Sequence, residues 1–264
     1  SSVGSITYYA EASNDTTNCI SLARTAVTLE IFAVPAAPIS GGDQSACSLD
    51  PIQTLTASAS VGTGESITWY DAPTAGNAVV DPSLSAIGSV TYYAEASDNI
   101  TGCLSLSRTA ISLEILETPT GAITNNTGAT ELTCSVTEIS LTASGGDAYS
   151  WSDGTSVVGT NALLLVSTPG TYTVTVTSAN GCFDTTSIEI TQDITLPTPG
   201  ITNNTGVTEL TCSVTQISLT ASGGDSYSWS DGTTVVGTDS LLLVSTPGTY
   251  TVTVTSANGC FDTD

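Results

Sequence analysis

The chain has 264 residues, Arg24 and Arg108 as its only basic side chains, no lysine or histidine, and a formal net charge of −23. Such a chain cannot neutralise phosphates, which excludes nucleic-acid binding and docking on anionic membranes. Only 10% of the residues are charged, so the surface must be built largely from Thr, Ser, Asn and Gly, and no apolar run reaches the ~20 residues of a membrane helix.

Residues 1–34 read as the tail of a domain, because GSITYYAEASNDTTNC returns in varied form from Gly88 onward. A strand at 7–11 leads to a loop bearing Cys19, and a strand at 25–31 returns. The prolines at 35 and 38 make a short, stiff linker. Residues 39–117 form a complete module. Its expected strands run over 52–59, with Ile52, Leu55 and Ala57 toward the core, 66–71 around Trp69, 90–96 and 109–115. Tyr8-Tyr9 and Tyr92-Tyr93 put one ring on each face of their strands.

Residues 121–198 and 199–264 are two copies of a second module, offset by 78 residues, with 57 of 66 aligned positions identical. Strands are expected at 138–143, around Trp151 and at 163–166. The stretch Ser167–Thr185, STPGTYTVTVTSANGCFDT, returns letter for letter at Ser245–Thr263. In it Tyr172, Val174 and Val176 alternate with threonines, the period of a half-buried strand. Asn180-Gly181 signals a two-residue hairpin, with Cys182 opening the returning strand. Tyr172 and Tyr250, each following Pro-Gly-Thr, fit a tyrosine corner. The second copy stops before its last strand is complete, and strand donation from a neighbour is one way to complete it.

Strands at 8–12-residue spacing, one Trp per module and no helical periodicity predict an all-β chain. The architecture expected is tandem immunoglobulin-like antiparallel β-sandwich domains in a linear array, with core residues Trp69, Trp151, Trp229, Tyr172 and Tyr250. The seven cysteines sort by repeat. One pair per domain predicts bridges Cys47–Cys103, Cys134–Cys182 and Cys212–Cys260 at one end of each sandwich. Cys19 is then left with a partner upstream of residue 1. Zinc is a poor alternative, since there is no CxxC and no histidine. Disulfides imply an oxidising, extracellular setting.

No catalytic residues emerge. Asp147, Asp153, Asp225 and Asp231 belong to turns, and without histidine or lysine only scattered carboxylates could act as acids or bases. No cofactor or metal is expected. Calcium would suit an acidic surface, but no ligand-spaced acidic loop appears. Asn99, Asn125 and Asn203 open N-x-Thr patterns.

With its repeats laid out, the chain resembles surface proteins of Bacteroidota. ITWYDAPTAGNAVV followed by GSVTYYAEASDNITGC is similar to the Ig-like repeat of their large secreted proteins. YSWSDG with PGTYTVTVTSANGC resembles repeats of giant gliding-motility adhesins of the SprB kind. The resemblance implies type IX secretion, an extracellular cell-surface location, and O-glycosylation patterns at Thr16, Thr185 and Ser240. It also implies partners in the motility or secretion machinery, in external surfaces or glycans, and in neighbouring repeats. The expected function is adhesive and structural. Spacers or carbohydrate-binding modules of a secreted polysaccharide-degrading enzyme are the alternative.

Overall fold

The computed structural model describes residues 3–264, and among them the regular structure is all strand, with turns between. Residues 1 and 2 of the first segment lie outside the described residues. The chain divides into two compact units that meet in sequence at Thr118 and Pro119.

The first unit opens with a hairpin of Gly4–Ala10 against Thr25–Ile31, with Tyr8 opposite Val27 and every residue exposed. A sandwich follows. Its larger sheet has the order Gln44–Cys47, Thr109–Leu116, Gly88–Asp98, Glu65–Tyr70, Ala78–Val79. Short pairings of Ile39–Ser40 with Ala59–Ser60, and of Leu55–Thr56 with Ser83–Leu84, accompany it. Ala57, Ala94, Ile111 and Leu113 are buried between, with Trp69, Leu55 and Tyr92 packed on them.

The continuous strand expected over 52–59 is broken. Leu55 pairs with Leu84 while Ala59 pairs with Ser40, and between them the Ala57 N–H donates to Pro82 O. One strand cannot serve both partners without a jog, and Ile52 is left 43% exposed rather than in the core.

The second unit holds the two like repeats. In the first, Ala122–Asn125, Ile139–Ser144 and Leu163–Val166 form one sheet. Glu131–Thr133, Phe183–Asp193, Gly170–Thr177, Ala148–Ser152 and Val157–Gly159 form the other in that order. The period of two in TYTVTVT does what it must: Tyr172, Val174 and Val176 are buried while the alternating threonines face outward. They meet Trp151, Ile139, Leu141, Leu132 and Ile190. Each aliphatic side chain so buried contributes roughly 1.5–3 kcal/mol. The core polar groups are satisfied. Trp151 Nε1 donates to Asn161 O (3.0 Å), and Trp229 Nε1 repeats this with Asp239 O (3.0 Å). Tyr172 donates its hydroxyl to Thr168 O and Tyr250 to Thr246 O, both at 3.0 Å, so each tyrosine ties its strand to the preceding turn.

The second repeat pairs Gly200–Asn203, Ile217–Ser222 and Leu241–Val244 in one sheet. Val235–Gly237, Ser226–Ser230, Thr251–Thr255 and Phe261–Thr263 form its other sheet. Trp229, Val252 and Val254 are fully buried, whereas Trp69 and Tyr250 are only half-buried.

Two details set the poles of the first of these repeats. The turn after Thr177 is a five-residue loop rather than a two-residue hairpin: Ser178 N–H donates to Cys182 O, and strand resumes at Phe183. The three-residue strand Glu131–Thr133 runs parallel to the last strand, with Thr133 beside Asp193. Chain entry, at Gly121, lies by the 178–182 loop, since its N–H donates to Asp184 (2.9 Å). Cys182 therefore stands at the entry pole and Cys134 at the exit pole.

Candidate functional site at the junction between like repeats

The expected bridge Cys134–Cys182 is not formed. Its two cysteines flank the 11-residue strand Phe183–Asp193, whose ends lie roughly 33 Å apart at ~3.3 Å per residue. A disulfide needs Cα atoms within about 7 Å. Cys134 is bonded instead to Cys260 of the next repeat, 126 residues on, with Cα atoms 4.9 Å apart. This corrects Cys212–Cys260 as well, and Cys212 is an exposed thiol. Cys47 follows the same geometry. It sits beside Leu116, across the sheet from the Gly88 end of Gly88–Asp98, while Cys103 lies in the loop at the other end. Cys103 is a thiol, and Cys47 and Cys182 are each disulfide-bonded. Cys19 is an exposed thiol.

Around the bond the two repeats fit closely. Asn258-Gly259-Cys260 occupies the entry-pole loop of the second repeat. Asn258 Nδ2 donates to Thr195 O (3.0 Å), its Oδ1 accepts from Cys260 N–H (2.9 Å), and Ser135 Oγ donates to Asn258 O (3.4 Å). Gly259 has φ +78°, and a Cβ there would meet Ser135 Cβ at 2.7 Å. Asp193 is held below the usual carboxylate range, first by the Thr195 N–H and also by Asn258. Gly223, φ +103°, would with any side chain collide with Thr198 O at 2.0 Å, so the linker is pressed onto the second repeat. Pro197 in that linker is buried.

Arg108 is the centre of a second cluster that the residue pattern did not reveal. Arg108 Nε donates to Glu95 (3.2 Å), with the side chains only 10% and 13% exposed, and its guanidinium stacks 3.3 Å from the Tyr70 ring centroid. Nη1 donates to Ala72 O and Ala75 O, pinning the 71–77 loop. Arg24 pairs with Glu11 at 2.9 Å but is 62% exposed. The signal was present: the only two basic residues each stand 13 residues after a glutamate, in both copies of one motif.

The remaining candidates are placed as follows. Thr16, Thr185 and Ser240 are all exposed. Asn125 and Asn203 use their side-chain N–H groups to hold Ala129 O and Val207 O, both at 2.7 Å. Asp153 and Asp231 cap their turns, and both are lowered to about 2. At Asp153 the Thr155 hydroxyl acts first, and at Asp231 the Thr234 N–H. Among the described residues no group of three or more acidic, Cys or His side chains could hold a metal ion, and no helix is long and apolar enough to cross a membrane. A groove of about 510 Å³ in the second repeat is lined by Ile201, Leu210, Ile217, Leu219, Val244 and Tyr250. The first repeat seats its strand Phe183–Asp193 at the equivalent place, with Ile188 opposite Tyr172 and Ile190 buried.

Residues 35–116 match the family described as "Ig-like domain CHU_C associated". That stretch is an Ig-like domain, and the chain's fold is that of tandem Ig-like β-sandwiches. No curated protein matches it. Among solved structures it is similar to the N-terminal eight Ig domains of Down Syndrome Cell Adhesion Molecule isoform 1.30.30. That match has 14% identity and a TM-score of 0.30, and covers 97% of this chain but only 45% of that one. It is also similar to titin domains I67–I69 in an E-to-A variant, with 11% identity, 88% and 97% coverage and a TM-score of 0.34. A third similar structure is the amphioxus IgVJ-C2 molecule, with 16% identity, 53% and 95% coverage and a TM-score of 0.28. Ig-like domains with disulfides fit a secreted, oxidising setting.

Proposed function

We propose that this chain is a load-bearing stretch of an extended cell-surface adhesin, in which Ig-like repeats provide reach and the disulfide between two of them provides tensile strength. The observation that carries this reading is the Cys134–Cys260 bond. A bridge inside one sandwich stabilises that sandwich alone, whereas a bridge from one repeat to the next transmits force covalently across their junction. In the chain-entropy model a loop of this length also stabilises the pair by about 5 kcal/mol. The near-identity of the two repeats supports the same reading, since duplication lengthens a stalk without building a new site. The Bacteroidota resemblance adds display through type IX secretion and a part in gliding, with the motility machinery at one end and external surfaces or glycans at the other. Catalysis has no place in this reading, and neither has a cofactor.

The test is to attach beads to living source cells through an antibody against Ser167–Thr185. Beads that bind and are carried along the surface support a motility adhesin. Beads that bind and stay put support a static stalk. Antigen found only in the medium overturns the reading and favours spacers of a secreted enzyme.

A further inference from the structure

The Cys134–Cys260 bond obeys a polarity. The exit-pole cysteine of one repeat, directly after the short parallel strand, takes the entry-pole cysteine in the loop of the next. We propose that Cys212 is the exit-pole half of a further staple of the same kind, and that its partner is the entry-pole loop cysteine of another repeat of this type placed after it. This rests on the structural reading above and deepens it by naming the partner and its orientation.

The internal repeat carries the inference. Cys212 occupies the position that Cys134 occupies one repeat earlier, inside the same six residues, LTCSVT, and there the thiol is bonded. Its surroundings are already shaped for the bond. Thr211 N–H donates to Val214 O (2.8 Å) as Thr133 N–H does to Val136 O (2.9 Å), and Ser213 stands where Ser135 receives Gly259. The mating half is also repeated: Asn-Gly-Cys occurs at 180–182 and again at 258–260, with glycine at positive φ both times. Cys212 has no reachable partner within its own sandwich, because Cys260 belongs to the opposite pole and is already bonded to Cys134. An exit pole offers a cysteine after Leu-Thr but no Asn-Gly-Cys loop, so two exit poles do not mate, and the staple is directional and orders repeats head to tail. The same rule gives Cys103, an entry-pole thiol, an exit-pole cysteine from a preceding module.

The chemistry balances as a thiol–disulfide exchange. Two thiols lose two protons and two electrons and gain one S–S bond, while a small-molecule disulfide such as oxidised glutathione is cleaved to two thiols.

The test extends the full chain after Asp264 with a second copy of residues 187–264 in which the cysteine equivalent to Cys212 is replaced by serine, which supplies both the closing strand and one further repeat while leaving Cys212 the one cysteine of its peptide sequence. The protein is refolded with oxidised and reduced glutathione, alkylated and mapped without reduction. The expected result is a peptide linking Cys212 to the loop cysteine of the added repeat, with alkylation at Cys212 lost. That peptide disappears when the added loop cysteine is serine, and Cys212 is then alkylated again. Alkylated Cys212 in the extended protein, or Cys212 bonded to any other cysteine, overturns the proposal. The Cys134–Cys260 peptide in the same digest reports folding. Its presence without the Cys212 link rejects the propagated staple alone and leaves the load-bearing reading standing. Its absence rejects both.

Discussion

Gly259 lies against Ser135 so closely that a methyl group on it would stand 2.7 Å from the serine Cβ and 3.1 Å from its backbone nitrogen. The glycine is also left-handed, at φ +78°. Gly259→Ala therefore carries two costs, a backbone term of about 1 kcal/mol that any such position has and a collision across the junction. Gly232, φ +91° with nothing near it, carries only the first. The expected outcome is slower Cys134–Cys260 formation in refolding for Gly259→Ala, and an unchanged rate for Gly232→Ala. Equal rates would show that the junction does not need the close approach.

Arg108 holds Glu95, the Tyr70 ring and two loop carbonyls at once, so removing its charge strands a carboxylate that is 13% exposed. Arg108→Gln is expected to destabilise its sandwich by roughly 3 kcal/mol, in the range for breaking a buried pair. Hydrogen exchange should speed up most over residues 71–77. Arg24→Gln removes a pair whose arginine is 62% exposed and is expected to cost well under ~1 kcal/mol. If the two variants behave alike, burial is not what gives Arg108 its weight.

The pattern of legibility follows from what is local. Tyr172, Val174 and Val176 declared their strand because alternation is written within seven residues, and Leu163–Val166 is an apolar run followed by the Pro169-Gly170 turn. The cysteine pairing was not local. It depends on which pole each cysteine occupies, and that is set by Glu131–Thr133, three residues too short and too polar to read as a strand. Counting one pair per repeat gave Cys134 and Cys260 the wrong partners and counted the thiols Cys103 and Cys212 as bonded. Strand 52–59 failed for a related reason: its two halves pair with different strands, and hydrophobic alternation does not record a change of partner.

Asp153 and Asp231 are both lowered to about 2 by donors from the Thr and Ser residues that follow them. These bonds favour the charged form, so the folded pKa lies below the unfolded value of 3.8. Their contribution to stability is full above that value and is lost as pH falls from about 4 to about 2. Carboxyl-carbon NMR titration should give midpoints near 2 for both. Thr155→Val removes the first cause at Asp153 and should move that midpoint upward while leaving Asp231 in place. A midpoint near 3.8 in the parent protein would remove the capping role.

The groove beside Tyr250 has the lining that seats Ile188 and Ile190 one repeat earlier. A peptide of the sequence Thr185–Asp193 is therefore expected to add as a strand and raise the melting temperature of the second repeat. Ile→Asp changes at both isoleucines should abolish this. A peptide with both isoleucines replaced that stabilises equally well would mean the groove does not select this strand.

The staple also fixes where tension runs. Cys134 and Cys260 are 126 apart in sequence, so 125 residues, comprising most of both repeats, lie between them and outside the covalent path from Gly121 to Asp264. Extended, that segment would span roughly 440 Å at ~3.5 Å per residue. Pulled between an anchor at residue 120 and the carboxy terminus, the oxidised protein should show no unfolding extension from it. The double variant Cys134→Ser/Cys260→Ser should release both sandwiches and lengthen by that contour less their folded size. The sandwiches themselves need not be strong for the oxidised chain to be strong, because load passes them by. If the oxidised protein and the serine variant unfold with the same extension, the bond does not carry the load and the tensile role assigned to it is wrong.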